Sequence, residues 1–351
     1  MLLGALALAA GVFAVSRTGT TSGQGGVHSE PTVYYVSPTG SDANPGTAPD
    51  APWGTVAHGL ASLAPGDTLY LRGGRYVENI TGTAIRPATP SAPILVAGYP
   101  GEQPLIEGLL WLRDPSWWTL DRITVTWNPG NPSTRHMVKI TNGVGWTVRN
   151  SEFWGARSYA ALLVAGTVRD EPADWTVTGN CIHDTYRSND VNQDHLIYVN
   201  TGVASGRGTI ERNVLFNATN GMGVKLGGSD VTGGSAHVTV TRNTIHNTSQ
   251  SVLVAGDSHD NSIVGNILSA VGAGYSSVRG YQLQGAGNSM RDNLGHGARS
   301  ILLNDDGHAG VVDAGGNLFP IDPRFDDTQS CTGFRPLNPA AAGFGHSQNS
   351  P

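Results

Sequence analysis

Charge is scarce in this 351-residue chain: Asp, Glu, Lys and Arg make up 14% of it, and the net charge is −6. The basic residues are scattered, with no stripe or cluster, which argues against a nucleic-acid-binding surface. Only two cysteines occur, Cys181 and Cys331, too few for a disulfide-stapled miniature fold. In an exported chain they either pair or stand as two small unpaired residues. No apolar run reaches the roughly 20 residues that a membrane-spanning helix needs. The longest candidate, LLGALALAAGVFAV at 2–15, has the length of a signal-peptide core and is followed by Arg17 and a Gly/Ser/Thr-rich stretch. It lacks a preceding Lys or Arg and a clear small-residue cleavage site. Residues 1–30 therefore read as an export signal or an uncleaved anchor, with a polar linker.

Glycine (48) and proline (20) are abundant, which suits many short strands and many turns. The strongest pattern is an asparagine that returns at 150, 180, 213, 243, 266, 293 and 317, in contexts such as WTVTGNCIH and VTVTRNTIH. WTLDRITV at 118–125 is an earlier copy with Arg122 in the Asn place. A period of this length, carried by β-branched runs and not by paired helices, marks an all-β solenoid of stacked strands. The spacing places each Asn at a tight bend, where stacked amides bond to one another and to backbone.

Ahead of the repeats, residues 31–93 read as a cap and first coils. Thr55 precedes VAHGLASLA, which puts Val56, Leu60 and Leu63 on one helical face before Pro65-Gly66 stops it. Such a helix would cover the first unpaired strand edge. Coils then fill 94–320, and 321–351 closes the chain. A second strand lies between successive asparagines, with apolar residues two apart and the central residue facing out. The outward column this predicts is Lys139, Leu163, Tyr198, Lys225, Leu253, Gln282 and Leu302.

Three stretches stand out together: YYVSPTGSDANPGT with APWGTVAHGLASLAPGDTLYLRGGRY, the Asn-bearing coils, and NLFPIDPRFDDTQSCTGFRPLNPAAAGFG at 317–345. In these the chain resembles the secreted right-handed parallel β-helix proteins that act on carbohydrates, a group including pectate lyases and the chondroitin and alginate lyases. The resemblance implies a right-handed parallel β-helix acting on an extracellular polysaccharide, with no nucleic acid and no protein partner, as a monomer. It is more specific for the fold than for the reaction.

The longest gap, from Asn180 to Asn213, contains HDTYRSNDVNQDHLIYVN. Asp184, Asp190 and Asp194 supply hard oxygens within a dozen residues, which is what Ca²⁺ requires; a solvated acidic loop is the alternative. HLIY resembles the His-Gly-Ile-Tyr strand of the same group, with Leu196 in place of Gly. His195, Tyr198 and, one coil later, Lys225 form a candidate catalytic set. Arg187, Arg212 and Asn200 are the neighbouring candidates for holding substrate. For a uronate polymer, Ca²⁺ on Asp190 and Asp194 would neutralise the sugar carboxylate and depress the Lys225 pKa, leaving a neutral amine as base. Tyr198 or His195 would protonate the leaving oxygen. Two alternatives stand beside this lyase reading. A hydrolase would use Asp184 or Asp194 as acid and base, which for inversion requires carboxylates roughly 6.5–9.5 Å apart. A non-catalytic glycan binder would use outward tryptophans, although Trp146 and Trp175 repeat in register and read as packing residues.

Overall fold

A computed structural model describes residues 30–167, 171–187, 193–228, 233–272 and 274–346. From Pro31 onward the described chain forms one unit, a parallel β-helix whose coils each contribute strands to three faces. The first face is an eleven-stranded sheet that includes Trp118–Asp121, Thr147–Arg149, Trp175–Thr178, Gly208–Glu211 and Val238–Thr241. A second sheet of fourteen strands bends round the other two faces. Val214–Leu226 shows the bend: its start pairs with Cys181–His183 on the second face, and its end pairs with His195–Asn200 on the third. Pairing between successive coils is parallel on all three faces.

The interior is filled by columns of apolar side chains stacked from coil to coil. Val148, Val177, Ile210, Val240 and Ile263 stack beneath the first face, and Ile140, Val164, Val199, Leu226 and Val254 beneath the third, all at most 1% exposed. Trp146 and Trp175 are buried and stack 5.4 Å apart, as expected of packing residues. Gly208 continues that stack, because a Cβ there would lie 2.1 Å from the Trp175 ring.

At the corner between the first and second faces, five buried asparagines form a hydrogen-bonded column. The amide of Asn180 donates to Asn213 (3.0 Å), Asn213 to Asn243 (2.9 Å), Asn243 to Asn266 (3.0 Å) and Asn266 to Asn293 (2.9 Å). The same oxygens accept the backbone N–H of the preceding asparagine, and the amide nitrogens also reach carbonyls such as Val177 and Ile210. Asn317 ends the column. Asn150 does not belong to it. The Asn150 amide turns to Asp121 (3.0 Å), and its backbone is left-handed (φ 51°) like that of Arg122, Arg212 and Arg242, each one residue ahead of the column. Ser151 takes the place instead, with its N–H bonded to Asn180 and its hydroxyl accepting from Ile123 N–H. A second, shorter pairing, Asn261 with Asn288 (2.8 Å), holds another corner.

The helix Val56–Ser62 is capped by Thr55, which accepts from His58 N–H, and its first two N–H groups are bonded by the Glu78 carboxylate from a later strand. Val56, Leu60 and Leu63 are buried, as their spacing predicts. Past the last coil, residues 321–346 run back along the second face. Cys331 is disulfide-bonded to Cys181, and Phe334 is fully buried against Phe216 (5.0 Å) and His246 (5.4 Å).

Removing an interior member of the column strands several buried groups. In Asn243→Ala the N–H and amide of Asn213 lose their acceptor and the Ile210 carbonyl loses a donor. At roughly 1–3 kcal/mol for each unsatisfied group, a loss on the order of 3–5 kcal/mol is expected. Asn317→Ala, at the partly exposed end, is expected to cost about 1 kcal/mol or less. Urea unfolding midpoints check both, and equal losses would show that burial of the column is not what gives it its strength.

Candidate functional site

The third face carries the outward column. Strand register aligns Trp111, Lys139, Leu163, Tyr198, Lys225, Leu253, Arg279 and Leu303 on successive coils. The last two differ from the Gln282 and Leu302 that alternation predicts. The strand is Ser276–Tyr281, with Val278 inward, and Gln282 lies beyond it in a left-handed turn (φ 44°). The Val-Arg-Gly segment hides the inward pair, since one of its two inward positions is a glycine. Apolar spacing therefore favours Tyr281 and Leu283.

Lys225 lies at the middle of this column. Its amine is 4.7 Å from the centre of the Tyr198 ring, and burial holds its pKa below the ordinary lysine range. Gly228 borders the amine's path: a Cβ there would sit 3.3 Å from Lys225 Cε. Two coil steps further, about 10 Å at the strand spacing, Arg279 stacks on Tyr281 (4.8 Å) and pairs with Asp305 (2.9 Å). Lys225, Gly228, Arg279 and Tyr281 line a groove of about 690 Å³ with Gln250, Leu253 and Asp257. Arg279 and Tyr281 are functional candidates that the sequence reading passed over.

The other sequence candidates divide. His195 is buried edge-on against Tyr198 (5.5 Å), and its Nδ1 accepts the Met222 N–H at 3.2 Å, which puts the proton on Nε2. Burial, and then the nearby Lys225 and His136 charges, drive its pKa well below the usual histidine range. It is a neutral support behind Tyr198, in place of the groove-facing acid expected. Asp194 is fully buried, and its backbone carbonyl accepts the Thr185 hydroxyl. Asp184 sits at the end of the second face, bonded to His183 Nδ1 (2.8 Å) and the Asn217 amide (2.9 Å). Asp190 lies outside the described residues.

Arg187 stacks on Tyr159 at 3.9 Å and bonds its hydroxyl at 3.0 Å, at the upstream edge of the third face. Asn200 ends the third-face strand beside Ala165. Arg212 is at the asparagine corner beside the disulfide, on a different side of the coil from Lys225, so the two do not form one site. The expected calcium ligands are Asp184, Asp190 and Asp194. Among the described residues, only Cys181/His183/Cys331, whose thiols are oxidised, and His237/His259/Asp260 bring three metal-binding groups together, and neither includes a residue that lines the groove. Asp184 and Asp194 belong to neither cluster and do not line the groove.

No protein-family model matches the chain. It is 39% identical over 74 residues to the pectate lyase PEL9 of Emericella nidulans, a match that takes in 21% of this chain and 18% of that protein's length. Its fold is similar to that of pectate lyase Pel9A, with a TM-score of 0.50, 17% identity and coverage of 82% and 80% of the two chains. It is also similar to GH136 lacto-N-biosidase from Eubacterium ramulus, with a TM-score of 0.50, 12% identity and coverage of 82% and 67%. The fold shared with these carbohydrate-active proteins is the parallel β-helix that the asparagine period predicts.

Proposed function

We propose that this protein is a polysaccharide lyase that cleaves a uronate-containing glycan by β-elimination in the third-face groove. The observation that carries the reading is Lys225, a half-buried amine with a lowered pKa, on an aromatic ring and in one groove with Arg279. The hard step in elimination is removing the weakly acidic proton beside the sugar carboxylate. An amine whose pKa is lowered gives up its own proton more readily and, as the free base, takes that proton. The C–H electrons then form the new double bond, the glycosidic C–O bond breaks, and the leaving oxygen is protonated by the Tyr198 hydroxyl or by water. Arg279, with Nε and one terminal nitrogen on Asp305, offers its remaining N–H groups to the sugar carboxylate and stabilises the charge that builds on it.

Hydrolysis on the same scaffold asks for two free carboxylates flanking the bond. Among the described residues lining the groove, Asp257 is the one acid, and nearby Asp305 is committed to Arg279. This favours elimination. Ca²⁺ remains part of the proposal through Asp190 and its neighbours, with no step assigned to it. The disulfide suits an oxidising, extracellular setting, and residues 2–15 are the proposed export segment.

Lys225→Ala is expected to lower turnover of a polyuronate by about 10²–10⁴-fold, with wild-type products one water lighter than hydrolysis would give. Unchanged turnover, or hydrated products, overturns the reading. Tyr198→Phe keeps the ring under the amine; a tenfold or larger loss assigns the leaving-group proton to its hydroxyl, and a smaller one assigns it to water. Exhaustive chelation tests the ion: activity lost and restored by Ca²⁺ supports it, and full activity removes it from the reading. Stability gives a further check. Because the folded Lys225 pKa is depressed, the unfolded chain holds the extra proton between that pKa and the ordinary 10.5. The cost of burying the charge is thus full below the depressed pKa and fades as pH rises towards 10.5. Lys225→Met should melt higher than wild type at neutral pH, with the gap closing in alkali.

A further inference from the structure

We propose that the coils preceding Lys225 carry a separate binding track for anionic polysaccharide, in which Trp111 and Tyr159 are stacking floors and Arg135, Lys139 and Arg187 are carboxylate partners. The inference rests on the lyase reading for the polymer's chemical class and extends it to a second, non-catalytic stretch of the same face.

Cation–aromatic pairs are concentrated here. Of seven such contacts among the described residues, five lie on the third face or its upstream edge. Arg135 and Lys139 both approach the Trp111 ring, at 5.2 and 5.3 Å, and Arg187 covers Tyr159 at 3.9 Å. The two clusters are joined by His136, whose carbonyl accepts the Trp111 indole N–H and whose ring is 6.0 Å from that of Tyr159.

These three cations stand close together and are among those with no carboxylate partner in the described residues. Arg72, Arg149, Arg207, Arg291 and Arg335 each pair with a carboxylate of the protein. Among the described residues no carboxylate pairs with Arg135, Lys139 or Arg187. Lys139 is pushed below the ordinary lysine range by burial and then by Arg113 and Arg135, and His136 falls to about 4 through burial and then Lys139. The patch is therefore locally positive on a chain of net charge −6.

A uronate ring offers an apolar C–H face and a carboxylate at its edge. An aromatic floor with a cation above it meets both groups, whereas a neutral sugar engages only the ring. Register puts Trp111 three coil steps from Tyr198, about 14 Å, with the small apolar surface of Leu163 between them. An extended chain lying over the track can thus continue to Lys225.

The test is binding without turnover. Lys225→Ala protein is titrated calorimetrically with polygalacturonate and with alginate, and with fully methyl-esterified polygalacturonate as the uncharged control. Adding Arg135→Gln, Lys139→Gln and Arg187→Gln is expected to weaken polyuronate binding at least tenfold and to flatten its salt dependence. Arg149→Gln, Arg207→Gln and Arg242→Gln remove the same charge from another side and are expected to change it less than twofold. The single exposed Arg135→Gln, expected to weaken binding about threefold, carries the test if the triple variant does not fold. Binding within twofold of the background in the track variants, equal loss in both triple sets, or equally tight binding of the methyl ester or of a DNA oligonucleotide overturns the track. Failure of the lyase reading shows separately, as an absence of elimination products from the wild type.

Discussion

Each amide in the asparagine column gives its oxygen to the coil before it and its nitrogen to the coil after it as well as to a carbonyl of the coil before. Because these groups are buried, a slip of one residue in any coil would leave donors and acceptors unpaired at a cost of kilocalories. The column therefore fixes register, and register is what every other feature uses. Valine remains over isoleucine inside, and Tyr198 remains beside Lys225 outside. The loops between strands can vary in length without disturbing this, since the distance between column members ranges from 23 to 33 residues while the hydrogen bonds do not change.

That logic explains what could be read from the sequence. The fold, the capping helix and the Lys225–Tyr198 contact all follow from apolar spacing and from the returning Asn, because those signals record burial directly. Ser151 was missed because serine supplies the same acceptor with a shorter side chain, and an identity search favours the neighbouring Asn150. Arg279 was missed for a related reason: its strand buries a glycine where an apolar residue marks the inward position elsewhere. Burial of Asp194 and His195 was not legible at all. Aspartate is mostly exposed and histidine intermediate in proteins at large, and the bend of the chain into the third face encloses both here. The pairing of Cys181 with Cys331, left open by composition, depends on a tail that turns back across the second face.

The third face works against the stability of the fold. Lys225 and Lys139 are held partly out of water with no carboxylate paired to them among the described residues, and the same burial lowers the pKa of His136 and His195. A strand surface built for packing alone would carry threonine or valine at these positions. The energy for this comes from the interior columns, which are apolar along the same coils. Rigid coils then present their charges at fixed intervals, and no loop has to be ordered to do so.

The disulfide has a consequence for how such a solenoid comes apart. An open stack of coils can lose its last turn, then the next, because each contacts only its neighbours. Here the chain returns from its final coil to Cys181, closing a covalent ring across 150 residues. Lys225 and Arg279 lie inside that ring, whereas Trp111 and Lys139 lie outside it. Fraying from the C-terminal end is thereby tied to opening of the whole segment, and the coils that hold the reactive amine share the stability of the segment's most buried turn.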